Sequence, residues 1–207
     1  MVTRVILFDF DGVIADSFSI FCKCFFESCK TVNINKFATQ EDILRLFYGN
    51  FYQRLKDELQ DEVMANKVME VYFIKLKREI GKIKLFAGMD EVLMKLSKLA
   101  KIFIITSNRE EIVREVLINN KIIEDLEIFG SEQIKSKSLK IQSILKNYNN
   151  FSEIFFITDT VGDVLEVKKF PIKIAGVAWG WHKPEELLKN GVEIVFKSPK
   201  ELLEKFS

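Results

Sequence analysis

The sequence predicts an α/β fold, in which helices flank a parallel sheet and an all-helical segment is inserted near the N-terminus. From about residue 85 onward, short apolar runs alternate with longer helical patterns, which is typical of a parallel sheet. The apolar run at residues 2–8 has the character of a further buried strand of that sheet. Between these two regions, residues 16–84 keep helical spacing throughout and contain no proline.

Composition and charge limit the classes of function. At 207 residues the chain can form one main domain and a smaller module, and its 48% hydrophobic and 29% charged residues indicate a folded protein. The formal net charge of +1 gives no overall field that would attract nucleic acid or an anionic membrane. No apolar run approaches the roughly 20 residues that span a bilayer, and no signal-peptide pattern follows the first strand. We therefore expect a cytoplasmic protein that binds neither nucleic acid nor membranes.

The individual elements follow from the positions of these runs. The predicted strands cover residues 2–8, 101–106, 126–129, 153–158, 173–177 and 193–196. The helices between them are predicted at residues 89–99, 110–119, 138–147, 162–169 and 184–190, each ending near a glycine, an asparagine or a basic residue. Within the insertion, helices are predicted at residues 16–30, 39–47 and 61–80, with a weaker pattern at residues 52–59.

Two carboxylates, Asp9 and Asp11, follow the first predicted strand and precede Gly12. Ligand sites in open parallel sheets form at the carboxyl ends of strands, so both acids lie where a site is expected. Neighbouring carboxylates repel each other unless a cation or a shared proton relieves them. A Mg²⁺ ion bound by oxygen ligands would do so, and it would also neutralise a phosphate. Simple turn formation after a strand is the alternative interpretation.

Three further polar segments are expected at the same edge of the sheet. Thr106 and Ser107 follow a strand and precede a helix, where hydroxyl and backbone N–H groups can hold phosphate oxygens. Lys137 precedes the next helix and offers a point charge for phosphate. Asp159 and Asp163 form a second carboxylate pair beyond another buried strand. Taken singly, these segments also fit helix capping, turn formation or solvated surface.

In their order and spacing, these segments resemble the four motifs of the haloacid dehalogenase (HAD) superfamily. Residues 176–181 and 184–203 further resemble its phosphoglycolate-phosphatase-like branch, which carries a helical cap inserted just after the first motif. The resemblance implies a Rossmann-like core domain of residues 1–15 and 85–207. It also implies that residues 16–84 form the cap domain.

The same resemblance implies a Mg²⁺-dependent phosphatase that cleaves a phosphate monoester of a small metabolite through an aspartyl-phosphate intermediate. Asp9 would attack phosphorus, while Asp11 would protonate the leaving group and then activate water. The residues implied to bind phosphate are Thr106, Ser107 and Lys137. The residues implied to hold Mg²⁺ are Asp9, the backbone carbonyl of Asp11, Asp159 and, as a ligand or close neighbour, Asp163.

Two departures from the family pattern leave details open. Relatives usually have glycine just before the second acidic motif, where this chain has Thr158, so we expect its side chain to crowd the metal or to add a contact. Lys135 and Lys137 both precede the same helix. We assign phosphate binding to Lys137, because its distance to the apolar pair at residues 144–145 fits relatives better, and Lys135 stays the alternative.

Two alternative functions also stay open. The first is a phosphosugar mutase of the same branch, in which a sugar hydroxyl rather than water receives the phosphoryl group. The second is a phosphate- or Mg²⁺-binding module without turnover, which Thr158 hints at. A dehalogenase is not expected, because such members lack the acid at the position of Asp11. The sequence leaves the substrate and the oligomeric state open.

Substrate contacts in the insertion are predicted around Gly49, which resembles the turn that dips toward the catalytic aspartate in relatives. Arg45 and Arg54 flank this turn, and arginine forms bidentate bonds to carboxylate or phosphate groups. We therefore expect them to pair with a second anionic group of the substrate. The alternative is that Phe47 and Phe51 belong to the core of the insertion and that both arginines are solvated.

The cysteines, the single histidine and the tryptophans are predicted to have structural roles. The cysteines Cys22, Cys24 and Cys29 lie in one short segment and are predicted to be reduced thiols packed as small apolar side chains. His182 and the neighbouring tryptophans are expected to cover the edge of the core, without a role in catalysis.

Overall fold

The computed structural model describes residues 3–122, 126–147 and 151–207. Its strands are β1 (Thr3–Phe8), β2 (Ala15–Asp16), β3 (Lys84–Leu85), β4 (Lys101–Ile105), β5 (Glu127–Phe129), β6 (Phe151–Thr158), β7 (Lys173–Val177) and β8 (Ile194–Phe196). Six of them form one parallel sheet in the order β5-β4-β1-β6-β7-β8. The predicted α/β fold is therefore confirmed. Residue 2 of the predicted first strand lies outside the described residues.

Ten α-helices lie in the described part of the chain. They are α1 (Phe18–Thr31), α2 (Gln40–Leu46), α3 (Phe51–Leu59), α4 (Glu62–Glu79), α5 (Met89–Leu96), α6 (Glu110–Asn119), α7 (Lys137–Asn147), α8 (Val161–Val167), α9 (Pro184–Lys189) and α10 (Pro199–Phe206). All the predicted helices are present, and α10 is additional. None of the described helices is long and apolar enough to cross a membrane.

Strand β1 lies at the centre of the sheet, between β4 and β6. Its side chains alternate between the two faces, so that Val5 and Leu7 enter one buried cluster, while Ile6 and Phe8 enter the other. Both faces are buried, which is why the strand reads as a continuous apolar run. Strand order reverses around β1, and this is the place where open parallel sheets form a ligand crevice.

The helical insertion is continuous with one face of the sheet. Helices α1 to α4 contribute their apolar sides to the same buried cluster that contains Ile6 and Phe8. Within this cluster, the three cysteines are buried and form no disulfide, as predicted. The insertion therefore packs directly above the end of β1 rather than standing apart from the sheet.

The short antiparallel pair of β2 and β3 lies where the chain enters and leaves the insertion. Ala15 pairs with Leu85, and Asp16 pairs with Lys84. Local capping then defines the helices that follow. Thr39 and Asp42 form a capping box at the start of α2, and the side chain of Asn50 accepts from the backbone N–H of residue 53 at the start of α3.

Candidate active site

Asp9 lies just beyond β1, and neighbouring main-chain groups fix its position. Its backbone N–H donates to the carbonyl of Ile157 in β6 (2.9 Å), and its Oδ1 accepts from the N–H of Phe10 (2.7 Å). The following turn contains Gly12 with a φ of +82°, and a Cβ there would lie 2.0 Å from Oδ2 of Asp159. Glycine is required at this point because the turn passes directly against the second acidic motif.

Lys137 links the first and last acidic motifs. Its Nζ lies 2.7 Å from Oδ1 of Asp9 and 2.6 Å from Oδ2 of Asp163, and all three side chains are buried. Burial lowers the pKa of Lys137, but the carboxylates of Asp163 and Asp9 outweigh it, so its pKa is raised overall. Lys135 is exposed and donates to Oδ1 of Asn66 (3.0 Å). Of the two candidate lysines, the structure therefore brings Lys137 to Asp9.

Asp11 is held by two side chains that the sequence interpretation did not single out. Oδ1 accepts from the hydroxyl of Ser17 (2.6 Å), and Oδ2 accepts from the amide of Asn108 (3.2 Å). Burial raises the pKa of Asp11, and these two hydrogen bonds oppose the shift. Burial also raises the pKa of Asp9, which Lys137 opposes. Asn108 follows directly after the polar pair at the end of β4, a position that could have indicated it.

Thr106 and Ser107 extend from the end of β4 into the same cavity as Asp9 and Asp11. Thr106 is buried, and its backbone N–H donates to the carbonyl of Phe129 in β5 (3.1 Å). The carbonyl of Ser107 accepts from the hydroxyl of Tyr52 in the insertion (2.7 Å). This contact ties the loop after β4 to helix α3.

Asp159 has the features of a carboxylate that binds a cation. Its Oδ2 accepts from the N–H of Trp181 (2.8 Å), whereas its buried Oδ1 has no partner within the described residues. Burial raises its pKa to about 7, against the opposing hydrogen bond from Trp181. A Cβ on Gly180 would lie 2.2 Å from Cβ of Asp159, so the loop covers this carboxylate closely. An unpaired buried carboxylate oxygen fits a hard divalent cation.

The oxygen atoms near Asp9 are of the type that binds Mg²⁺, although the four acidic side chains do not converge on a single point. Asp9, Asp159 and the backbone carbonyl of Asp11 would offer the oxygen ligands that Mg²⁺ prefers. Asp163 is already bonded to Lys137 and Thr158. Within the described residues, no three acidic, histidine or cysteine side chains converge as a ready metal cluster. The residues therefore fit an ion held by two carboxylates and the carbonyl, completed by substrate oxygens or water.

Thr158 makes the additional contact that was one of its two predicted effects. Its side chain is fully buried, and its hydroxyl donates to Oδ2 of Asp163 (2.7 Å). The same hydroxyl accepts from the N–H of Thr160 (3.3 Å). Thr158 thus fastens the carboxylate that also binds Lys137.

A small cavity of about 40 Å³ lies between the sheet edge and the insertion. This volume holds only a few water molecules. The lining residues from the sheet side are Asp9, Asp11, Thr106, Ser107, Asn108, Lys137, Thr160, Asp163, Glu166 and Trp181. Those from the insertion are Phe21, Phe47, Gly49, Phe51, Met69 and Tyr72. The insertion therefore meets the polar sheet edge with a largely aromatic surface.

The turn at Gly49 contacts the sheet side at Gly162, but the flanking arginines do not line the cavity. The carbonyl of Phe47 accepts from the N–H of Gly162 (2.7 Å), and Gly49 lies directly above the same glycine. Arg45 is exposed and pairs with Asp42. Arg54 has its nearest carboxylate in Glu58, at 3.9 Å. In this arrangement neither arginine lines the cavity that contains the residues predicted to bind phosphate.

His182 and Trp179 make hydrogen bonds to the backbone, whereas Trp181 lies at the cavity. The Nδ1 of buried His182 accepts from the N–H of Val161 (3.0 Å), and burial lowers its pKa. Trp179 donates from Nε1 to the carbonyl of Val13 (3.1 Å). Both have structural contacts, as expected, whereas Trp181 also lines the cavity. Its closeness to the site had no signal in the sequence beyond its place in a loop after a strand.

Comparison with solved structures supports the same fold. A predicted phosphatase from Clostridium acetobutylicum is 22% identical with a TM-score of 0.85, covering 99% of this chain and 98% of that chain. A hydrolase from Pseudomonas syringae is 20% identical with a TM-score of 0.82, covering 99% and 97%. A predicted phosphoglycolate phosphatase from Haemophilus somnus is 15% identical with a TM-score of 0.79, covering 99% and 98%. The comparison with curated proteins finds no match.

The family assignment comes from the sequence itself. The family model described as haloacid dehalogenase-like hydrolase matches residues 6–177, which include all four motifs and the whole helical insertion. The chain belongs to the haloacid dehalogenase-like hydrolase family.

Proposed function

We propose that this protein is a phosphatase that hydrolyses the phosphate monoester of a small metabolite through an aspartyl-phosphate on Asp9. The observation that carries the proposal is the position of Asp9, whose carboxylate lies beside Lys137 in a small cavity that Asp11 and Thr106 also line. A nucleophile, an acid and a phosphate-binding cation are thereby held within one small space. The names of the similar structures, two of which are described as phosphatases, agree with this reaction.

In the first step, an oxygen of Asp9 forms a bond to phosphorus while the bond from phosphorus to the ester oxygen breaks. Asp11 gives its proton to that departing oxygen. In the second step, Asp11 takes a proton from water, whose oxygen attacks phosphorus, and the bond to Asp9 breaks. Lys137 and the groups of Thr106 and Ser107 hold the phosphoryl oxygens.

We propose Mg²⁺ as the cofactor, held by Asp9, Asp159 and the backbone carbonyl of Asp11. When bound, it supplies positive charge that neutralises the phosphoryl group and the surrounding carboxylates. The unpaired Oδ1 of Asp159 supports this assignment. Asp163 contributes indirectly, because it orients Lys137 and is itself held by Thr158.

We further propose that residues 16–84 act as a cap on a core of residues 1–15 and 85–207. The pair of β2 and β3 lies at both crossings between these parts, which makes it a suitable hinge. Because the cavity holds only a few water molecules, a phosphate ester enters only when the cap moves away. Cap closure then excludes bulk water from the reacting groups. The cytoplasmic location stays a prediction.

The test is trapping of the phosphoenzyme, together with the products of turnover. Asp9→Asn should abolish both phosphoenzyme formation and phosphate release while the thermal unfolding midpoint stays close to that of the parent. Release of inorganic phosphate, without transfer to an added hexose phosphate, separates hydrolysis from mutase activity. A phosphoryl group trapped on another residue would refute the role of Asp9, and full activity in excess EDTA would refute the role of Mg²⁺.

A further inference from the structure

The side of the cavity formed by the insertion and by the loop after β7 is lined mostly by aromatic rings. The insertion supplies Phe21, Phe47, Phe51, Met69 and Tyr72, and the loop after β7 adds Trp181. The ring centroids of Phe47 and Trp181 are 4.7 Å apart, and Phe21 lies 5.2 Å from Trp181. The rings therefore pack against one another, and a leaving group above the phosphate would lie against an apolar surface.

Charges at the cavity disfavour a second anionic group on the substrate. Lys137 is the one cationic side chain among the described residues that line it, and two carboxylates already surround its Nζ. Glu166 also lines the cavity and adds a further acidic side chain, held by the amide of Asn50 (2.8 Å). A carboxylate on the leaving group would lose its water shell without meeting a positive partner.

Trp181, one of the lining residues, also carries a hydrogen-bond donor without a partner in the described part of the chain. The indole Nε1 of Trp181 is buried and has no partner within the described residues. An indole N–H can only donate, and a buried donor without a partner is costly. An uncharged acceptor oxygen on the leaving group would satisfy it.

Building on the proposed phosphatase function, we infer that the substrate is a phosphate monoester whose leaving group is compact, uncharged and largely apolar, with one acceptor oxygen that Trp181 binds. Trp181 and the aromatic surface of the cap are thus the determinants of specificity. This substrate class differs from an ester with a carboxylate on its leaving group, such as phosphoglycolate. It also replaces the expected pairing of Arg45 and Arg54 with a second anion.

Two matched pairs of ligands test the inference. The esters are 2-oxopropyl phosphate and 2-phosphoglycolate, which have similar shape and differ in the charge of the leaving group. The stable analogues are 2-oxopropylphosphonate and phosphonoacetate, whose binding to the Mg²⁺-loaded protein is measured by calorimetry. We expect at least a tenfold preference for the uncharged member in kcat/KM and in Kd. Equal or tighter binding of phosphonoacetate overturns the inference, and so does failure of both phosphonates to bind.

The phosphonates also separate this inference from the proposed function. A preference for 2-oxopropylphosphonate without hydrolysis of either ester would refute the phosphatase proposal, while the assignment of an uncharged ligand would stand. Conversely, hydrolysis of both esters with a preference for 2-phosphoglycolate would support the phosphatase and refute the inferred substrate class.

Substitutions test whether Trp181 and the lining of the cavity determine specificity. Trp181→Phe keeps a ring but removes the donor, so the preference for 2-oxopropylphosphonate over propylphosphonate should fall from several-fold to about onefold. Met69→Lys places a cation in the lining and should shift binding toward phosphonoacetate by at least several-fold. Val63→Lys adds the same charge at an exposed position of α4, where the side chain is 78% exposed, and should leave the preference unchanged. Parental selectivity in both cavity variants would overturn the assignment of these determinants.

Discussion

Lys140 is a second buried lysine, one helical turn beyond Lys137. From its buried charge we predict how the free energy of unfolding changes with pH. The residue is only 1% exposed, and its Nζ donates to the backbone carbonyl of Thr106. Burial lowers the pKa of Lys140 from 10.5 to about 8, and the charge of Lys137 acts in the same direction. The amine therefore supports the loop after β4, but its charged form is costly in the folded protein.

The sign of the pH dependence follows from the lowered pKa. Between about pH 8 and 10.5 the unfolded chain holds this proton more strongly than the folded chain, so stability contributed by Lys140 rises with pH. From pH 7 to pH 10 the cost of burying the charge falls by about 2.5 kcal/mol, because one pKa unit corresponds to about 1.4 kcal/mol.

The perturbation is Lys140→Met, which removes the charge and also the hydrogen bond to Thr106. Loss of the bond to this buried carbonyl costs about 1–3 kcal/mol. At pH 7 relief of the buried charge offsets this loss, so the variant should be about as stable as the parent. At pH 10 most of this relief is gone, so relative to the parent the variant should be about 2.5 kcal/mol less stable than at pH 7.

The assay is urea unfolding of parent and variant at pH 7, 8, 9 and 10, followed by circular dichroism. Other titrating groups are common to both proteins, so they cancel in the difference between the two unfolding free energies. Lys146→Met is the matched control, because it removes a lysine from an exposed position of the same helix. A difference between parent and Lys140→Met that stays constant from pH 7 to pH 10 would refute the reasoning.

Three further predictions concern the site directly. Lys137→Ala should impair both substrate binding and turnover, whereas Lys135→Ala should be mild in steady-state kinetics, and the reverse ranking would move phosphate binding to Lys135. Asp11→Asn should lower kcat by roughly 10²–10⁴, the usual contribution of an acid–base group, so near-normal turnover would exclude that role. Gly180→Ala should destabilise the protein by about 1–3 kcal/mol in thermal unfolding and raise the Mg²⁺ concentration needed for activity, because its Cβ would lie 2.2 Å from Cβ of Asp159. Unchanged Mg²⁺ dependence would show that the loop tolerates the side chain.

The elements of the sheet could be predicted because their signals are local. Strand β7 begins and ends where predicted, and β4 ends one residue earlier. Continuous apolar runs of this length are required when both faces of a parallel strand are buried. The pair of β2 and β3 was not predicted, because two-residue strands carry no periodic pattern and depend on a partner about 70 positions away in sequence. Helix α10 was also missed, although Ser198 caps it and a proline begins it.

The order of the motifs along the chain was enough to predict that the main candidate residues lie close together. Asp9, Asp159 and Thr106 each follow a strand of the same parallel sheet, and the carboxyl ends of such strands share one edge. Lys137 reaches this edge from the start of α7. Their chemical roles stay predictions that the experiments above address.

The sequence by itself determined the α/β fold, the place of the helical insertion and the main polar residues at the sheet edge, among them Asp9, Asp11 and Lys137. Only the tertiary structure decided what faces that edge: an aromatic surface with Trp181, rather than Arg45 and Arg54. It also decided that Thr158 bonds to Asp163 and that Lys137, not Lys135, lies against Asp9. The physical reason is that apolar periodicity specifies an element and its buried face. Contacts between side chains far apart in sequence depend on how those faces pack together.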